Sequence, residues 1–175
     1  MLIEGLSNSS KESGLGDLEE ISTELQKIPW FRELNQEHVQ KIAEITNLRQ
    51  VKAGEVLFRE GDKEECVYIV IEGRIALDMF VPHRGKIRFY TAEPWEVFGW
   101  SSVTPTIRQR TAGATAVVDG LIVCINAEKL RQACDEDHDL GYLVMRRLAN
   151  VVAGRLLVTR LQLLDMFANP ETKNV

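Results

Sequence analysis

The apolar positions along this chain change their period twice. Leu18, Ile21, Leu25 and Ile28 recur at helical spacing, and Pro29 interrupts the stripe. Asn35 offers an N-cap with His38 at its third position, and Val39, Ile42 and Ile45 supply a second helical face. From Leu48 to Asn126 the segments turn short and β-branched, broken by Gly, Pro and Asp. Expected strands are Leu48–Val51, Val56–Phe58, Val67–Ile71, Ile75–Val81, Ile87–Thr91, Thr111–Val118 and Leu121–Ile125. Short strands at this spacing, with no strand–helix–strand alternation, predict a sandwich or barrel. After Asn126, itself a cap, Ala127–Cys134 predicts a short helix. Asp137 or Asp139 then caps a long one that runs without Pro to about Phe167, before Asn169-Pro170. The organisation expected is a leader at 1–17, helices at 18–47, a barrel at 48–126, C-terminal helices at 127–168 and a tail at 169–175. The leader, rich in Ser, Gly and charge, has too little apolar content to pack.

Composition narrows the function classes. The 175 residues are 45% hydrophobic and 27% charged. No run approaches the about 18 apolar residues of a membrane span. A net charge of −5 argues against a broad nucleic-acid-binding surface. Cys66, Cys124 and Cys134 are odd in number and widely spaced, which predicts neither a disulfide scaffold nor a zinc site. Cys66 and Cys124 fall in apolar strand runs and are expected to be buried, with Cys134 the most exposed of the three. His38, His83 and His138 are scattered, so no metal site is expected. The run Asp135-Glu136-Asp137-His138-Asp139 lacks the glycine and spacing of a calcium loop. The chain opens on Met1, a natural start, with no signal segment; the expected address is cytoplasmic. No nucleophile–base set and no paired carboxylates appear, so an enzyme is not expected.

Two glycine-centred segments carry the candidate chemistry. The first runs from Ala53-Gly54-Glu55 through Gly61-Asp62 to Val67-Tyr68-Ile69-Val70-Ile71-Glu72-Gly73. The second is Val97-Phe98-Gly99-Trp100-Ser101-Ser102-Val103, followed by Arg110-Thr111-Ala112. Phe98-Gly99 ends a strand, and the next four residues suit a single helical turn whose N–H groups can face an anion. Arg110 follows Gly99 by eleven residues, and its planar fork suits a phosphate diester. Pairing of Arg110 with Glu93 or Glu96 is the plain alternative.

The ordered combination resembles the cyclic nucleotide-binding domain of the catabolite activator and cyclic-nucleotide-gated channel superfamily. The resemblance covers roughly residues 34–164 and implies a mainly β fold with flanking α. That fold is a double-stranded β-helix, or jelly roll, between N-terminal helices and a long C-terminal helix. It implies ligand contacts from Phe98, Gly99, Trp100, Ser101, Ser102, Arg110 and Thr111, with cyclic AMP or cyclic GMP as the ligand and no required cofactor. The C-terminal helix would close over the base. Trp100 stands where the family has a glutamate that accepts from the ribose, and Trp95 where it has a glycine. An indole only donates, so the phosphate half of the site is kept and the ribose half is not. Trp100 then either fills the pocket or stacks on a base.

The long helix has two apolar stripes, Val144-Leu148-Val151-Val158 and Met145-Val152-Leu156-Leu163, extended by Leu157, Leu161 and Leu164. One stripe is expected on the barrel and the other on a second copy, giving a homodimer through residues 140–167. Arg146, Arg147, Arg155 and Arg160 are expected along its flanks. Ala168–Val175 is too short for a recognition helix, so DNA binding like that of the family's transcription factors is not expected. The reading is a sensor module that signals through its C-terminal helix to an unidentified protein. The alternative is an interaction or scaffold module that keeps the fold without nucleotide.

Overall fold

Strand β3, Cys66–Glu72, is buried on both faces, which is why it reads as an unbroken apolar run. Its side chains alternate between two cores. Val67, Ile69 and Ile71 point to the helices, while Tyr68 and Val70 point into the barrel. The computed structural model describes residues 13–63, 65–104 and 109–168. Of the leader expected over 1–17, residues 1–12 lie outside the described residues, as does the tail expected over 169–175.

Helix α1, Ser13–Lys27, begins inside the stretch read as leader. A 3-10 turn at Pro29–Phe31 and helix α2, Gln36–Ala43, follow. The Asn35 side chain accepts from the His38 N–H at 2.8 Å, as the cap reading required. The barrel then comprises β1 (Thr46–Val51), β2 (Val56–Phe58), β3, β4 (Ile75–Val81), β5 (Gly85–Ala92), β6 (Val97–Phe98), β7 (Gly113–Ala116) and β8 (Gly120–Asn126). They form two antiparallel sheets, ordered β1-β8-β3-β6 and β2-β7-β4-β5. This is the expected jelly roll. The two-residue β6 is too short to show as a periodic segment.

One core lies between the sheets around Phe58, Tyr68, Phe98 and Ile122. The other lies between the first sheet and the helices, around Leu25, Phe31, Ile42 and Leu130. Helix α3, Ala127–Glu136, is capped by Asn126, which accepts from the Lys129 N–H at 2.9 Å. Helix α4, His138–Ala168, is 31 residues long, or about 46 Å at 1.5 Å per residue. Of the two possible caps the structure uses Asp137, whose carboxylate accepts from the Leu140 N–H at 3.1 Å. Only the first turns of α4 pack as the stripes predict: Leu140, Val144 and Leu148 are buried. From Val152 onward the apolar residues are largely exposed, Leu161, Leu164 and Phe167 among them.

The cysteine expectation needs correction. Cys134 is buried in the helix-side core and Cys66 is the half-exposed one. Helix ends are exposed only where nothing covers them, and here α4 folds back across α3. A Cβ on Gly141 would lie 2.7 Å from the Cys134 carbonyl oxygen, so the two helices touch at backbone distance.

Candidate functional site

The cassette is built by one glycine. After β6 the chain reverses at Gly99, whose φ of +66° is left-handed, and enters the 3-10 turn Trp100–Val103. A Cβ at Gly99 would meet Arg110 Nη1 at 2.6 Å. Position 99 thus needs glycine for its conformation and for the approach of the guanidinium.

Arg110 is 3% exposed. Its Nη1 donates to the Gly99 carbonyl at 2.9 Å and its Nη2 to the Cys66 carbonyl at 2.6 Å. Its guanidinium carbon lies 4.3 Å from the centroid of Phe58 and 5.5 Å from that of Tyr68. Phe58, Tyr68 and Phe98 stack on one another, with centroid separations of 5.0–6.3 Å. The charge thus rests on an aromatic floor, a geometry favourable for arginine. The backbone of Arg110 is pinned to the first glycine segment: Gly61 N–H donates to the Arg110 carbonyl at 2.8 Å and Arg110 N–H to the Asp62 carbonyl at 2.9 Å. The two segments that stood apart in sequence therefore meet at this residue. Pairing of Arg110 with Glu93 or Glu96 is not what forms. Glu96 accepts from the Tyr90 hydroxyl at 2.7 Å and from the Glu93 N–H at 2.9 Å.

A cavity of about 290 Å³ opens above this floor. Five of the seven candidate residues line it: Gly99, Trp100, Ser101, Arg110 and Thr111. The other two do not. Phe98 is wholly buried in the floor. Ser102 is turned away, donating its hydroxyl to the Gly99 carbonyl at 2.8 Å, and its own carbonyl accepts from Arg131. Trp100 is half-buried, packs against the helix-side core and forms a wall without filling the space.

Helix α4 forms the opposite wall through Arg155, Val158, Thr159 and Gln162. The flank position expected for Arg155 is corrected here, since its side chain is 16% exposed and turned to the barrel. Its guanidinium carbon lies 3.1 Å from the Tyr90 centroid, and Nη2 donates to the Val97 carbonyl at 3.3 Å. Burial pulls its pKa down to about 10, which leaves it protonated at neutral pH. The available signal was its place in the Val151–Val158 stripe, one turn from each end.

Among the described residues, no three His, Cys, Asp or Glu side chains cluster closely enough to hold a metal ion. No helix among them is long and apolar enough to cross a membrane.

The family model for the cyclic nucleotide-binding domain matches residues 48–137. The chain belongs to that family. The cyclic nucleotide-binding domain is a regulatory one, and its model runs from within β1 through α3. A candidate potassium channel protein from Rhodopseudomonas palustris is 25% identical over 130 residues, covering 74% of this chain and 30% of that protein. This chain therefore corresponds to under a third of that relative's length. A candidate cyclic nucleotide-binding protein from Geobacter metallireducens has a solved structure that matches with a TM-score of 0.68 at 26% identity. That match covers 77% of this chain and 97% of the other. The catabolite activator protein of Thermus thermophilus matches with a TM-score of 0.64 at 26% identity, over 80% of this chain and 63% of its own.

Proposed function

We propose that this cyclic nucleotide-binding domain is a sensor that takes a cyclic nucleotide into the cavity and reports its presence through α4. The ligand's phosphate would sit between the Gly99–Ser101 turn and Arg110, with Thr111 beside it. Its base would lie against α4. The observation that carries this reading is a nearly buried guanidinium on the floor of a nucleotide-sized cavity whose far wall is a long helix. Occupancy can then bias the position of that helix through differential contacts alone. Calorimetry with cyclic AMP and cyclic GMP tests it: at least one binds, and Arg110→Ala abolishes the heat.

A second reading has its own support. Arg110 already donates to two backbone carbonyls, so it also serves as an internal strut. If no cyclic nucleotide binds at millimolar concentration, the barrel is a scaffold and α4 its interaction surface. In both readings the exposed apolar side of α4 pairs with a second copy. Light scattering at tens of micromolar then gives a dimer, and Leu161→Glu combined with Leu164→Glu gives a monomer.

A further inference from the structure

The hairpin of β4 and β5 outruns the barrel that carries it. β4 pairs with β5 along its whole length, from Ile75 opposite Ala92 to Val81 opposite Gly85. Its other neighbour, β7, pairs only with residues 75–78. The register of β4 on β5 shifts between Leu77 and Asp78, a bulge that re-aims the hairpin where β7 stops. Beyond it, residues 79–81 and 85–87 form a two-stranded ribbon with no third strand among the described residues. Pro82 and a left-handed His83, at φ +66°, close the tip, and the Arg84 N–H donates to the Val81 carbonyl at 3.0 Å.

Side chains alternate between the two faces of the ribbon. Met79 stands opposite Ile87, with Val81 on the same face; Phe80 stands opposite Lys86 on the other, with Arg88 beside it. Phe80 is 65% exposed, and Val81 and Ile87 are exposed as well. Met79 is exposed too but lines the ligand cavity. Phe80, Val81 and Ile87 are thus the apolar groups that project from the barrel, and Arg84, Lys86 and Arg88 are exposed around them. The nearby carboxylates are engaged: Asp78 pairs with Lys86 at 3.1 Å, and Glu60 accepts from the Phe80 N–H at 3.1 Å. Neither Arg84 nor Arg88 has an ion-pair partner among the described residues.

The chain as a whole carries a net charge of −5, so a basic tip is a local departure. Its field acts within a Debye length of about 8 Å, where remote carboxylates count for little. Apolar groups on both faces of a narrow projection suit a medium that surrounds it. A folded partner covers one face and leaves the other in water. The interfacial layer of a bilayer takes in both, while lysine and arginine stems lie along it with their charges at the headgroups. Three ribbon residues reach about 10 Å, the depth of that layer. We propose that the β4–β5 tip is a peripheral docking site for an anionic phospholipid surface. Phe80, Val81 and Ile87 enter the interface, and Arg84, Lys86 and Arg88 meet the lipid phosphates. The proposal does not depend on a nucleotide in the cavity.

The test is co-sedimentation of the full chain with vesicles of equal parts phosphatidylglycerol and phosphatidylcholine, against vesicles of phosphatidylcholine alone. The partition coefficient is expected to be about tenfold or more higher on the anionic vesicles. Binding should fall as salt rises from about 0.1 M to 1 M and the Debye length shrinks. Arg84→Ala and Arg88→Ala should each lower the partition coefficient about fivefold, and Phe80→Ser about tenfold. All three positions are exposed, so the variants should melt with the natural chain. Absence from both pellets, equal pelleting with the two vesicles, or variants that bind like the natural chain overturns the proposal. So does equally tight binding to soluble poly-glutamate that ignores Phe80→Ser, which assigns the tip to an acidic polypeptide. A lower light-scattering mass for Phe80→Ser also overturns it, because the ribbon is then a contact between copies of this chain. The vesicle comparison on the natural chain needs no variant to fold.

Discussion

The cassette and the helix wall face each other across one cavity, the first with a buried arginine and the second with a half-buried one, and they are held in different ways. Arg110 lies over the Phe58 and Tyr68 rings, donates to two carbonyls and has its backbone tied to the Gly61-Asp62 turn. Arg155 has one aromatic face and a single 3.3 Å bond to Val97. The cassette arginine is tied through both its side chain and its backbone, the helix-wall arginine through its side chain. The attachments of α4 follow the same division. Its start is pinned by Asp137 and by Arg146 and Arg147 against Glu33. Near the cavity it is held by Arg155 and Gln162, and its apolar residues beyond Val152 are largely exposed. A rigid floor facing a loosely attached wall is the mechanical requirement of a sensor.

The largest expected break in this comparison comes from methionine at the two arginines. Arg110→Met removes two charge-assisted hydrogen bonds from a buried site, at about 1.5–3 kcal/mol each. A fall in melting temperature of roughly 5–15 °C follows. Arg155→Met removes one 3.3 Å bond, the Tyr90 contact and a 3.9 Å ion pair with Glu96, so its melting temperature should move by less, about 2–4 °C. Equal losses in the two variants would refute the division between floor and wall.

Gly99→Ala comes next. It forces alanine into φ +66° and sets its Cβ against the Arg110 guanidinium, at about 1–3 kcal/mol. Urea denaturation should show the midpoint lowered and the slope unchanged.

A smaller effect, of opposite sign, is expected beside the helix wall. Trp95 precedes β6 at φ +73° and is 41% exposed, so it is strained and only partly repaid by burial. Trp95→Gly should raise stability by up to about 1 kcal/mol, while Trp95→Ala keeps the strain, loses the ring and falls. The same urea titration reads both.

The last prediction concerns the pin of α4. A hydrogen bond from Lys41, then one from the Leu140 N–H, hold the Asp137 carboxyl at about 2, below its ordinary 3.8. A folded-state value below the unfolded one contributes stability that is complete above the ordinary value and is lost as pH falls through 2. Melting temperatures between pH 5 and pH 2 should therefore decline less in Asp137→Asn than in the natural chain.

Much of the fold was legible along the chain. Asn35 and Asn126 announced their caps, the breaks at Gly54, Gly61 and Gly73 fell at turns of φ +83°, +86° and +85°, and β3 announced burial on both faces. These signals are local: a cap, a left-handed turn and a strand period each depend on a few neighbouring residues. The candidate cassette could be picked out because Gly99 and Arg110 stand close in sequence.

What the linear chain determined by itself was the set of elements and the chemistry available at the cassette. Only the tertiary structure decided how they are used. It turned Ser102 inward, buried Cys134 under the returning α4, tied Arg110 to Asp62 and rotated Arg155 from an expected flank onto Tyr90. The ties of Arg110 to Asp62 and of Arg155 to Tyr90 join segments far apart in sequence. No periodicity encodes such a meeting, because it is set by how two sheets and a helix pack against one another.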